Sequence, residues 1–300
     1  MKIGIDIGGS HVGIGIVNNS GEILAKEEKD YNKKEEDMSN MVLLTIIEVI
    51  EKIIKEKNLR IKDIDSIGIA MPGTVSNGIV IKAENLGIKN FNITEQIKKY
   101  FDIPVKLAND AKCAAIAEKK YGSLKNYDDA LFFTIGTGVG GAAFLNGQLL
   151  KPKRYSGFEF GHMLIQKDGK QCNCGRRGCF EVYTSMKRLK EKIKEEFNLD
   201  TICGKQIKEF MLQNKGNKKL NQILDTYIDY LSIGIANLIN IFEPQVISIG
   251  GSFTYYEEIL LKKLENQLLT KGKFFNEGDI PKVVMAKLKN DAGIIGATLS

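Results

Sequence analysis

ALFFTIGTGVGGAAFLNGQLL, residues 130–150, repeats the pattern with which the chain opens, KIGIDIGGSHVGIGIVNNSGEIL at residues 2–24. At an offset of 128 residues, Asp6 meets Thr134, Gly8 meets Gly136, Gly13 meets Gly141 and Asn18 meets Asn146. Each copy reads as an apolar strand, a glycine-rich loop, a second strand and an Asn/Gly turn, and the Asn146-Gly147 pair is a strong hairpin signal. One matched glycine could arise by chance, but matched strands, loop and turn together point to duplication. Two such hairpins could close on a nucleotide from both sides.

Glycine loops that follow strands offer backbone N–H groups to phosphate oxygens without side-chain obstruction. Asp6, Gly8, Gly9 and Ser10 fit that role in the first copy, and Gly136, Thr137 and Gly138 in the second. The plain alternative for either loop is a hairpin turn and nothing more. Neither is a Walker loop, because no Gly-Lys-Ser/Thr follows. Nor is DIGGS a dinucleotide fingerprint, since it leads into a strand rather than a helix. Asp6 could hold Mg²⁺ directly or through water; its bland role is that of a turn aspartate.

Around these hairpins, strands alternate with helices, which predicts an α/β protein. A helix is expected over residues 38–57, with short strands at 66–70, 78–82 and 104–108. Thr94 is placed to cap a helix to Tyr100, and another runs from about Asp110 to Tyr121. The second half predicts helices over 182–197, within 204–214 and over 220–242, then a strand at 245–249 entering Gly250-Gly251. A helix at 255–269, a strand at 282–286 and a helix from Asp291 finish the chain.

Length and composition fit a soluble protein of one large domain or two: 300 residues, 43% hydrophobic and 27% charged. The net charge of +6 is spread along the sequence, and the densest basic run, Lys151-Pro152-Lys153-Arg154, lacks interleaved aromatics. That predicts a solvated loop and no nucleic-acid partner. No apolar run approaches the roughly 20 residues that span a bilayer, and the first residues enter a strand without an export signal. A cytoplasmic protein with no membrane partner is expected.

His162, Cys172, Cys174 and Cys179 follow an H-x9-C-x-C-x4-C spacing. Three thiolates and an imidazole complete a tetrahedral zinc shell, and a closed shell with no place for water is structural rather than catalytic. The bland reading is a set of reduced cysteines in a loop. Cys113 and Cys203 lack partners nearby in sequence and read as packing residues. Asp110, after a strand and at a helix start, reads either as an N-cap or as a general base that takes a hydroxyl proton. Glu159 and Glu181 flank the metal spacing, where they could face a polyhydroxylated ligand or simply solvent.

Taken in order, DIGGS at 6–10, AMPG at 70–73, AND at 108–110, TIGTGVGG at 134–141, EFGH at 159–162 and CNCGRRGCFE at 172–181 resemble the ROK family of bacterial sugar kinases and repressors. The resemblance runs over nearly the whole chain. It implies the two-domain actin-like, ribonuclease H-like fold with a nucleotide in the cleft, the first domain over 1–109 joined by a C-terminal helix at 290–300. The second domain then covers 110–289 with the zinc-binding loop at 162–179. By position, Asp110 matches the base that activates a sugar hydroxyl for attack on the ATP γ-phosphate. Asn109, Glu159, His162 and Glu181 match sugar-binding residues, with Gly73 and Asn85 lining the same pocket. Gly136, Thr137 and Gly138 match the phosphate loop, and Gly250 and Gly251 the segment beside the adenosine.

The resemblance thus implies ATP with Mg²⁺, a hexose or N-acetylhexosamine phosphorylated at its 6-hydroxyl, a structural zinc and a homodimer. The other reading is a sugar sensor or repressor without turnover, although DIGGS starting at residue 6 leaves no expected room ahead of it for a helix-turn-helix. Departures from the family pattern are Ser10-His11 at the first loop, Phe158 where Gly or Ala is usual, and the absence of tryptophan.

Overall fold

A computed structural model describes residues 1–31, 37–152, 157–200, 203–271 and 280–300. Lys153 and Arg154 of the basic run lie outside the described residues. The chain divides into two compact units, Met1–Lys125 with Lys151–Gly157 and Leu288–Ser300, and Asn126–Leu150 with Phe158–Lys287, the undescribed residues aside.

In the first unit, β1 (Lys2–Ile7), β2 (His11–Val17) and β3 (Ile23–Asp30) form an antiparallel meander. Strand β3 alternates half-buried and exposed residues, as an edge strand with one face on the protein does. Helix α1 (Met38–Glu56) is capped by Asp37, whose side chain accepts from the Asn40 N–H at 3.1 Å. It buries Val42, Ile46, Val49, Ile50 and Ile53 along one face. Strand β4 (Ser66–Met71) pairs parallel to β1. A small three-stranded sheet of β5 (Thr74–Ser76), β6 (Ile79–Ala83) and β7 (Ile88–Phe91) follows. Helix α2 (Ile93–Lys98), strand β8 (Val105–Asn109) and helix α3 (Asp110–Tyr121) complete this part. The main sheet has the order β3-β2-β1-β4-β8.

The second unit repeats this plan. Strands β9 (Ala130–Ile135), β10 (Val139–Leu145) and β11 (Gln148–Leu149) form the meander. Helices α4 (Glu181–Thr184), α5 (Met186–Phe197), α6 (Gly204–Gln213) and the 25-residue α7 (Lys218–Phe242) follow. Strand β12 (Val246–Gly250) pairs parallel to β9, then come α8 (Glu257–Lys271) and β13 (Lys282–Met285). The sheet order is β11-β10-β9-β12-β13, matching the first sheet strand for strand. This twice-used topology is the structural form of the repeat seen in sequence, and it is the mixed α/β fold of the actin-like ATPases.

The chain then returns to the first unit as α9 (Ala292–Ala297), every residue of which is buried. Gly4 and Gly68, paired in register on β1 and β4, let it lie directly on the sheet. A Cβ on Gly4 would collide with the Ile294 carbonyl, and one on Gly68 with that of Ala297. None of the described helices is long and apolar enough to cross a membrane.

Several expectations shift. The offset repeat is not strict in register: Asp6 pairs with Gly13, but its counterpart Thr134 pairs with Gly140, so the second loop is one residue tighter. Asn92, not Thr94, caps α2, because its Oδ1 accepts from the Glu95 N–H at 3.2 Å. The single helix expected over 182–197 breaks at Ser185, which leaves the helical region and caps α5 instead. The first unit also takes in α3 and reaches Lys125, past residue 109.

Candidate active site

In the first unit, the turn of Gly8, Gly9 and Ser10 joins β1 to β2, and the Gly8 N–H donates to the His11 carbonyl at 2.9 Å. Tyr31, unremarkable in sequence, braces this turn twice. Its hydroxyl donates to the Gly8 carbonyl and its N–H to the Ser10 carbonyl. Ser10 Oγ lies 3.4 Å from His11 Nδ1. Gly9 is exposed, with nothing within 4 Å of where a Cβ would stand.

Asp6 near the end of β1 and Asp110 just after β8 stand at the carboxyl ends of parallel strands, where α/β sheets place ligands. Burial pushes the Asp6 carboxyl up to about 7, and the Asp110 carboxylate adds to the rise, while Lys26 opposes it. A cation nearby would favour the ionised form of the Asp6 carboxyl. Gly293 of α9 fits against the Asp6 carboxyl, with which a Cβ would collide.

Asn109, not Asp110, caps α3. Its Oδ1 accepts from the Lys112 N–H at 3.2 Å and its Nδ2 donates to the Gly73 carbonyl at 3.1 Å. Asp110 is therefore the first helical residue, with Oδ1 accepting from the Ala111 N–H at 2.8 Å. Gly73 has φ +89, and a Cβ there would collide with the Lys82 carbonyl, so only glycine at this position presents its own carbonyl to Asn109. Asn85 is exposed on the turn after β6.

In the second unit, Gly136, Thr137 and Gly138 join β9 to β10, closed by a bond from the Gly136 N–H to the Gly138 carbonyl at 2.9 Å. Among the described residues, the N–H groups of Thr137 and Gly138 make no hydrogen bond within the chain. The Gly250-Gly251-Ser252 segment lies beside this loop, since a Cβ on Gly136 would stand 3.9 Å from Ser252 Oγ. Two contacts had no signal in sequence. The Lys187 N–H donates to the Gly136 carbonyl at 3.2 Å, and Glu181 Oε2 accepts from the Val139 N–H at 2.9 Å.

His162, Cys172, Cys174 and Cys179 converge, their candidate ligand atoms all within 4.8 Å of one another. Cys174 Sγ and Cys179 Sγ are 3.6 Å apart, and Cys172 Sγ lies 3.8 Å from His162 Nδ1. A tetrahedral zinc with ordinary bond lengths sets sulfur atoms about 3.8 Å apart and sulfur and nitrogen about 3.6 Å apart. Burial pushes the Cys172 and Cys179 thiols up, Cys179 to about 12. Burial also opposes ionisation of Cys174, but the N–H and guanidinium of Arg176 outweigh it and bring that thiol down to about 6. Three thiolates so close need a cation among them, so the donor set and its spacing fit zinc.

Glu159 is exposed and begins the turn that carries His162. Phe158 before it has φ +57, a left-handed conformation that glycine adopts freely, and its ring packs against the core of this unit.

Residues 2–299 match the ROK family. A glucokinase of Thermotoga maritima is 30% identical over 98% of this chain and 95% of its own length. The xylose repressor of Caldicellulosiruptor bescii is 28% identical over 98% of this chain but 76% of its own length. Among solved structures, a ROK glucokinase from Streptomyces griseus, in complex with glucose and AMPPNP, superposes with a TM-score of 0.81. It is 25% identical, over 99% of this chain and 97% of that one.

Proposed function

Because this chain belongs to the ROK family, we propose that it is an ATP-dependent sugar kinase that phosphorylates a hexose or N-acetylhexosamine, at the 6-hydroxyl. The observation that carries the reading is the placement of Asp110: Asn109 caps α3, and the Asp110 carboxyl stands in the first helical turn, just beyond the carboxyl end of a parallel strand. The similarity to the Thermotoga maritima glucokinase and to the ROK glucokinase with glucose and AMPPNP supports a kinase.

In this reading Asp110 accepts the proton of the sugar hydroxyl as its oxygen bonds to the γ-phosphorus and ADP departs with the bridging oxygen. Glu159, His162 and Glu181 hydrogen-bond the sugar, and Asn109 holds Gly73 beside the base. The open N–H groups of Thr137 and Gly138, with Gly8, Gly9 and Ser10, receive phosphate oxygens. Gly250 and Gly251 flank the adenosine. Asp6 holds Mg²⁺, directly or through water, and that ion supplies neutralisation of phosphate charge. His162, Cys172, Cys174 and Cys179 hold a structural zinc, which fixes the imidazole and the two flanking glutamates. We place the protein in the cytoplasm, and as a homodimer, the latter a reading that rests on the family resemblance alone.

A coupled assay for ADP over a panel of hexoses and N-acetylhexosamines tests the proposal. ADP release that depends on one class of sugar supports it. Release with none, alongside specific DNA binding, favours the repressor reading.

A further inference from the structure

Glu181 lies two residues beyond Cys179 and yet bonds to the backbone of the glycine loop, which no sequence motif connects to it. Its Oε2 accepts from the Val139 N–H at 2.9 Å, and a Cβ on Gly138 would stand 2.5 Å from that oxygen. The segment that carries Glu181 is itself fixed. Cys179 and Phe180 are fully buried, and the Phe180 N–H donates to the Met163 carbonyl at 2.8 Å. The carboxylate is thus a rigid strut between the cysteine cluster and the exit of the loop. With the Val139 N–H taken by Glu181 and the Gly136 N–H by Gly138, the loop is held with only the Thr137 and Gly138 N–H groups open.

From this geometry we infer that Glu181 is a positioning residue for the nucleotide: it sets the phosphate loop for the terminal phosphates of ATP or ADP, whether or not a sugar is present. The inference rests on the kinase reading and deepens it, because it gives one carboxylate two duties. Oε2 holds the loop, and Oε1 is left for the sugar. A residue that only binds sugar leaves nucleotide affinity untouched when no sugar is there, which separates the two roles.

The test is calorimetric titration of the whole metal-loaded chain with Mg-ADP in sugar-free buffer. A hydrogen bond to a charged acceptor is lost in Glu181→Ala, so affinity falls about tenfold. Glu181→Gln keeps an acceptor oxygen and binds within about twofold of the unsubstituted chain. Gly138→Ala, which displaces the carboxylate without removing it, weakens binding as Glu181→Ala does. If Glu181→Ala does not fold, Glu181→Asp withdraws the carboxylate by one methylene and is read the same way. Unchanged Mg-ADP affinity in the Ala or Asp variant, or a Gln variant as weak as the Ala variant, overturns the inference and leaves the kinase reading standing. No Mg-ADP binding by the unsubstituted chain overturns both.

Discussion

Asp6→Asn provides a direct measure of what burial of this carboxyl costs the first unit. The fold raises this carboxyl from its ordinary 3.8 to about 7, first by burial and then by the nearby Asp110 carboxylate. Between those values the folded chain holds a proton that the unfolded chain has lost, so stability declines as pH rises and levels off above the folded value. Each tenfold in proton affinity corresponds to about 1.4 kcal/mol, which makes the ionised carboxyl cost about 4 kcal/mol at pH 8. At pH 5 the same linkage amounts to about 2 kcal/mol. Asparagine keeps the shape and never ionises. The variant should therefore exceed the unsubstituted chain in stability by those amounts, in Mg²⁺-free buffer, as read from paired urea denaturations. Contributions from titrating groups that do not interact with Asp6 cancel in the difference. A difference that stays constant between pH 5 and pH 8, or an Asn variant that is the less stable at pH 8, refutes the reasoning.

Asn109→Ala removes the cap of α3 and the bond to Gly73, and should cost about 1–2 kcal/mol in chemical denaturation. Gly68→Ala drives a methyl group into the α9 backbone, and a loss of more than about 2 kcal/mol is expected. Ordinary stability in that variant contradicts the close approach. For the cysteine cluster, elemental analysis should find one zinc per chain, and His162→Ala should release it on mild chelation. Full sugar affinity in a metal-free preparation would contradict the proposed role of the metal.

The duplicated hairpin was legible because strand, loop and turn each leave a residue signature, and the shared sheet order follows from it. The cysteine cluster was legible because thiolate ligands must be close in space and here are close in sequence. Details set by hydrogen-bond geometry were not. Asn109 and Asp110 are both good N-cap residues, and only the bond to Lys112 decides between them. The one-residue difference between the two hairpin registers is invisible to a strict offset: four residues separate the paired Ile7 and Val12, but three separate the paired Ile135 and Val139. The bonds of Tyr31, Lys187 and Glu181 to the loops are long-range contacts for which no local pattern exists.

The central claim is that Asp110 removes a sugar proton during phosphoryl transfer from ATP. Sugar-dependent ADP release, compared between the unsubstituted chain and Asp110→Asn at equal sugar saturation, tests it most directly. Turnover is expected in the first and a fall of about 10²- to 10⁴-fold in the second, with sugar still bound. Undiminished turnover in Asp110→Asn would contradict it.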